Sequence, residues 1–149
     1  MFIIRSAGSG YRMQGIKTIR VVIADDSPTA LRSVCEYLEF AGGFEVVGTA
    51  SDGLNAIQLA SAHKPDLVLL DLSMPRVNGL EAAEQIRLSS PHLRMIIFSE
   101  LNGLSIADEC RRHGADSFLH KSHLPDSLLP EIERLFSLDN RGGPTASNT

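Results

Sequence analysis

The sequence predicts an α/β fold, a parallel five-stranded sheet with helices packed on both faces. From residue 18 onward, short apolar, β-branched runs alternate with longer runs whose apolar residues recur at helical spacing. Five such βα units in succession require right-handed crossovers, which place helices on both faces of a parallel sheet. The chain has 149 residues, 43% hydrophobic and 21% charged, which is enough to bury the core of one ordinary domain.

The elements follow in order. Ile19–Ala24 (IRVVIA) is a first strand that runs into Asp25 and Asp26. Ser27 then offers an N-cap and Pro28 a first-turn proline. Leu31, Val34, Cys35, Leu38 and Ala41 make one apolar helical face, stopped by Gly42 and Gly43. Phe44–Ala50 (FEVVGTA) reads as a second strand, and a helix from Gly53 to about His63 ends before Pro65. The run 66–70 (DLVLL) is continuously apolar after its first residue, as a buried parallel strand should be, and Asp71 terminates it.

The loop LSMPRVNG leads to a third helix through about Leu88. A fourth strand at 95–98 (MIIF) is followed by Ser99, and Leu104, Ala107 and Cys110 mark a fourth helix closed at Gly114. Ser117–His120 (SFLH) is a short fifth strand with Lys121 after it, and a last helix runs from near Pro125 to about Leu138. Pro130 should kink that helix or delay its start, because proline deletes a hydrogen bond and clashes with the turn before it. Residues 1–17 read as a flexible N-terminal extension and 139–149, polar and rich in Gly and Pro, as a disordered tail.

Composition narrows the function. A net charge of -4 with no Lys/Arg run argues against a nucleic-acid-binding face. No apolar run approaches the ~20 residues a membrane span needs, so a cytoplasmic protein is expected. Cys35 and Cys110 lie in apolar helical stretches without CxxC spacing and read as small buried hydrophobes in a reducing compartment. His63, His92, His113, His120 and His123 are scattered and read as surface residues rather than metal ligands.

The chemistry lies in where the polar residues fall. Ligands of an open parallel sheet bind beyond the carboxyl ends of its strands. Those ends carry Asp25-Asp26, Asp71, Ser99 and Lys121 on strands one, three, four and five, so they share one crevice if strands one and three are neighbours. Taken singly, each is an ordinary turn or surface residue; their recurrence at the same end of one sheet is the signal. Three crowded carboxylates need a cation or raised pKa values, and carboxylate oxygens suit Mg²⁺. A metal there could bridge to an incoming phosphoryl group, making one carboxylate a nucleophile, with an ammonium and a hydroxyl on the transferred oxygens.

These segments resemble the response-regulator receiver family of two-component signalling. The resemblance spans roughly residues 18–138 and rests on VVIADDS, DLVLLDLSMPRVNGLE, IIFSE and GADSFLHK. The spacings also fit: 45 residues from Asp26 to Asp71, 28 on to Ser99 and 22 on to Lys121. The resemblance implies a flavodoxin-like doubly wound (βα)5 domain with strand order 2-1-3-4-5. It implies Asp71 as phosphoacceptor, Asp26 as direct Mg²⁺ ligand, Asp25 acting mainly through metal-bound water, and the Ser73 backbone carbonyl as a further ligand. Ser99 and Lys121 would contact the phosphoryl group, and Ser99 and Phe118 would form the switch pair.

The implied phosphodonor is a histidine kinase or histidine phosphotransfer protein, and the output is contact with a downstream protein. The output face is that of helix four, strand five and helix five, whose exposed apolar candidates are Leu101, Leu104 and Phe118, and which could also carry a homodimer. Activity of its own would be limited to Mg²⁺-dependent self-phosphorylation and slow autodephosphorylation. Three positions depart from the family pattern. Glu100 stands where a small residue is usual, Ser122 where many members have proline, and Pro130 lies within the last helix.

A stand-alone receiver is the leading expectation. The alternatives are a receiver-like module that works without phosphate, prompted by Glu100, and the receiver piece of a DNA-binding regulator. An aspartyl phosphatase with a DxD motif is disfavoured, because Asp71-Leu72-Ser73 lacks the second aspartate and follows strand three.

Overall fold

The computed structural model describes the backbone of residues 2–7, 10–15 and 17–145 and the side chains of residues 17–137. One parallel sheet holds β1 (Ile19–Ala24), β2 (Phe44–Ala50), β3 (Leu67–Asp71), β4 (Arg94–Ser99) and β5 (Ser117–His120). Their order is β2-β1-β3-β4-β5, the doubly wound 2-1-3-4-5 arrangement. The helices are α1 (Pro28–Ala41), α2 (Gly53–His63), α3 (Gly79–Ser89), α4 (Leu104–Arg112) and α5 (Leu124–Thr145).

All five residues of β3 are buried, as a central strand covered on both faces must be. On one face, Val21, Ile23, Leu69, Ile96 and Phe98 pack against α1 and α5. On the other, Val22, Leu70, Met95 and Ile97 pack against α2, α3 and α4. Period-2 alternation along each strand thus feeds two cores. Helix starts are fixed by side chains. Ser27 Oγ accepts the Ala30 N–H at 3.2 Å, Asp52 Oδ1 accepts that of Asn55 at 2.8 Å, and Asn78 and Glu81 form a capping box.

Arg87, in the last turn of α3, fastens the far end of the sheet. It donates to the carbonyls of Leu93 (2.6 Å), Pro91 (2.9 Å) and Gly114 (2.9 and 3.0 Å) and pairs with Asp116 at 3.0 Å. Asp116 also accepts the Met95 N–H at 2.8 Å. We expect Arg87→Met to lower the unfolding free energy by about 2 kcal/mol, since it keeps the stem but strands these carbonyls. Urea unfolding followed by far-UV circular dichroism measures this, and a change below about 0.5 kcal/mol would contradict it.

Two expectations about the ends meet a different picture. Helix α5 runs through Pro130 with no late start and continues past Leu138 to Thr145, into the stretch expected as a tail; residues 146–149 lie outside the described residues. Within the expected N-terminal extension, Phe2–Ala7 pairs antiparallel with Gly10–Gly15, and residues 1, 8, 9 and 16 lie outside the described residues. Among the described residues no helix is long and apolar enough to cross a membrane.

Candidate functional site

Because β1 and β3 are neighbours, the aspartates that end them meet. The pairings Ala24↔Leu70, Asp71↔Phe98 and Ser99↔His120 align the strands so that Asp25, Asp71, Ser99 and Lys121 all emerge at the same edge. Asp25 is 1% exposed and Asp71 5%, whereas Asp26 points to solvent. One carboxylate oxygen from each of these three residues lies within 4.8 Å of the others.

The cation in this cluster is Lys121. Its Nζ lies 2.9 Å from Asp25 Oδ2 and 3.5 Å from Asp71 Oδ1, and 5.6 Å from the centre of the Phe98 ring. Burial works against the ammonium. The hydrogen bond to Asp25 and the charges of Asp71 and Asp25 outweigh it and hold the Lys121 pKa above its ordinary value. Asp71 is pushed the other way for an acid. Burial first, and then the charge of Asp25, raise its carboxyl to about 7, against the pull of Lys121 and of the Ser73 backbone N–H.

Ser99 is 2% exposed, and its Oγ accepts the Leu101 N–H at 2.9 Å. A hydroxyl retains its O–H as a donor when its oxygen accepts. Phe118, beside Ile97 in β5, is half-buried against the same core face as Met95 and Ile97, under α4. Glu100 is exposed, outside the cluster of three carboxylates. Every peptide bond among the described residues is trans, including the one between Lys121 and Ser122. Beside Asp26 lies an open hollow of about 520 Å³ lined by Ser73, Met74, Pro75 and Asn78. A second, largely apolar cleft of about 320 Å³ between α1 and the start of α5 reaches Asp25 and Lys121 from the other side.

A profile of the response regulator receiver domain matches residues 21–133. The chain belongs to that family. Over 114 residues this receiver is 36% identical to the nitrate/nitrite response regulator protein NarL of Escherichia coli (strain K12), covering 76% of this chain and 53% of that protein. It is 30% identical over 142 residues to a protein-glutamate methylesterase/protein-glutamine glutaminase of Clostridium acetobutylicum, covering 89% of this chain and 41% of that protein. The chain thus spans about half the length of the curated relatives it matches.

Among solved structures, the response regulator domain of Thermotoga maritima CheB superposes with a TM-score of 0.73 at 29% identity, over 81% of this receiver and 98% of that chain. The CheX-CheY-BeF3-Mg+2 complex from Borrelia burgdorferi gives 0.76 at 26% identity, over 80% and 90%. Receiver domains generally bind Mg²⁺ at their acidic pocket. The donors in this one fit such an ion, being carboxylate oxygens gathered from Asp25, Asp26 and Asp71.

Sequence reasoning named Asp25, Asp26, Asp71, Ser99 and Lys121, and all five stand at the sheet edge. It passed over Arg76, whose φ is +67° and whose guanidinium binds Asp52 Oδ2 through Nη2 at 2.6 Å and Nε at 3.2 Å. That pair ties the β3–α3 loop, which carries Ser73, to the start of α2. The Asn55 N–H, and after it Arg76, hold the Asp52 carboxyl below its ordinary range. Reasoning from sequence also set His120 aside as a surface residue. Its place directly before Lys121 was the available signal.

Proposed function

We propose that this chain is a phosphorylation-dependent signalling switch in which Asp71 accepts a phosphoryl group from a histidine kinase or histidine phosphotransfer protein. The observation that carries the reading is the buried Asp71 carboxyl, 3.5 Å from the Lys121 ammonium and grouped with the oxygens of Asp25 and Asp26. Asp25, Asp26, Asp71 and the Ser73 backbone carbonyl would hold Mg²⁺, which when bound supplies positive charge for the carboxylates and the phosphoryl oxygens.

One Asp71 carboxylate oxygen forms a new bond to phosphorus as the phosphohistidine P–N bond breaks, and the electron pair leaves with the donor imidazole. Lys121 balances the charge gathering on the phosphoryl oxygens, and the Ser99 O–H donates to one of them. Drawing Ser99 toward the phosphoryl group frees space beneath α4 into which Phe118 turns. The result is a population shift on the face of α4, β5 and α5. Leu101 and Leu104, 54% and 87% exposed, supply apolar contact area there for a downstream protein or a second copy of the chain.

The test is incubation of the full chain with acetyl phosphate and Mg²⁺, followed by intact mass measurement. One phosphoryl addition is expected, lost in Asp71→Asn and after chelation. Equal labelling of Asp71→Asn would remove Asp71 from the acceptor role.

A further inference from the structure

Two of the groups around Asp71 come from strands that part company just where the groups are needed. The β4–β5 ladder ends at Ser99↔His120. Beyond it, one chain enters the loop that leads to α4 and the other enters a 3₁₀ turn, Lys121–His123. The backbone ladder therefore no longer sets the distance between the loop after Ser99 and the turn that carries Lys121.

One side chain spans that gap. His120 Nε2 lies 2.9 Å from the carbonyl oxygen of Glu100, while Nδ1 lies 2.7 Å from Ser122 Oγ and 3.2 Å from Ser122 N. A carbonyl oxygen only accepts, so Nε2 carries the ring proton and donates it. Nδ1 is then the acceptor that the Ser122 N–H requires, and it can take the Ser122 hydroxyl proton as well. The ring of His123, with its centre 5.6 Å away and tilted by 51°, packs beside the clamp.

Capping the 3₁₀ turn would need only the Nδ1 contacts. The bond to Glu100 reaches across 20 residues to the position next to Ser99 and serves no cap. Ser99 is itself fastened to this loop through its bond from the Leu101 N–H.

We propose that His120 is a positioning residue, a two-ended clamp that holds the loop after Ser99 and the turn carrying Lys121 in register around Asp71. Its part in phosphoryl acceptance rests on the reading of Asp71 given above. The ring's hydrogen bonds go to Glu100 and Ser122 and not to the three clustered carboxylates, so its loss should misplace the hydroxyl and the ammonium and leave cation binding intact.

Three measurements on the full chain test the clamp. Ring ¹⁵N shifts of His120 should report the Nε2–H tautomer. At saturating acetyl phosphate and Mg²⁺, His120→Ala should take label about tenfold more slowly than wild type. Its calorimetric Kd for Mg²⁺ should stay within about twofold, and His120→Gln, whose amide N–H can reach the Glu100 carbonyl, should recover most of the rate. An Nδ1–H tautomer, an unchanged rate in His120→Ala, or Mg²⁺ binding lost together with the rate would overturn the clamp. If the wild type takes no label, the phosphoryl reading fails, and the clamp is judged in donor-free protein. There, His120→Ala must displace the Leu101 amide and Lys121 ammonium resonances, and unmoved resonances overturn it.

Discussion

Gly53→Ala should lower the unfolding free energy by about 4 kcal/mol, or leave the chain unfolded at ambient temperature. The cause is contact, not backbone strain. A Cβ built at Gly53 would lie 1.9 Å from the carbonyl oxygen of Val77 and 2.8 Å from the Val77 Cβ. That carbonyl belongs to the β3–α3 loop, whose Val77 N–H is bonded to Pro75 O at 2.8 Å, so no flexible side-chain end is available to swing aside. Relief requires moving α2 away from the loop, against the Asp52–Arg76 pair that holds them together.

Gly42 provides the contrast. It has φ +78° and ψ 155°, a backbone region that essentially only glycine adopts, but nothing lies within 4 Å of an added Cβ, so Gly42→Ala should cost about 2 kcal/mol from backbone strain alone. Urea unfolding of the two variants separates them. Equal losses would show that the loop yields easily to α2, contrary to the packing argument. A milder version of the same constraint acts at Gly79, where a Cβ would meet the Asp71 carbonyl oxygen at 2.4 Å. The loop carrying Ser73 is therefore wedged at both ends by glycines.

The parts of this fold that a reader of the sequence can reach are those written locally. Ile19–Ala24, Phe44–Ala50 and Ser117–His120 are strands with the limits their apolar runs suggest, and β3 and β4 differ from expectation by a residue or two at their ends. The polar residue closing each strand marks the site, because a parallel sheet puts all those ends at one edge. The strand order was not readable from pattern; it came with the resemblance, since pairing β1 to β3 joins residues 46 apart.

Side-chain bridges were hidden for a similar reason. Arg76 and Asp52 are 24 residues apart, and His120 and Glu100 are 20 apart. No period of 2 or 3.6 connects them. Pro130 does not delay the start of the helix, because its local cost is outweighed. Leu128, Leu129, Ile132, Leu135 and Phe136 bury the helix face on both sides of it, and that burial exceeds the cost of one missing hydrogen bond.

Raising the pH from 5 to 8 without divalent cation should destabilise the wild type by about 2 kcal/mol, allowing for screening by nearby water. The folded Asp71 carboxyl has its pKa raised from 3.8 to about 7. Between those values the folded chain keeps a proton that the unfolded chain has released, so stability falls as pH rises. Below 3.8 both states hold the proton, and above about 7 both have lost it and the penalty is complete. Lys121 is held above its ordinary value of 10.5 and stays charged throughout this window, so it adds no slope. The histidines are common to wild type and Asp71→Asn, so the difference between the two isolates the carboxyl. Asp71→Asn should be nearly level from this source and more stable than wild type at pH 8. Millimolar Mg²⁺ at pH 8 should then restore the wild type and do little for Asp71→Asn, because a cation that binds only the folded state adds RT ln(1 + [L]/Kd) to stability. Parallel pH profiles for the two proteins would mean that burial and Asp25 do not raise the Asp71 pKa. An equal Mg²⁺ gain in both would place the cation on Asp25 and Asp26 alone. The crowding that makes Asp71 costly to fold as a carboxylate is the strain that a bound cation would relieve.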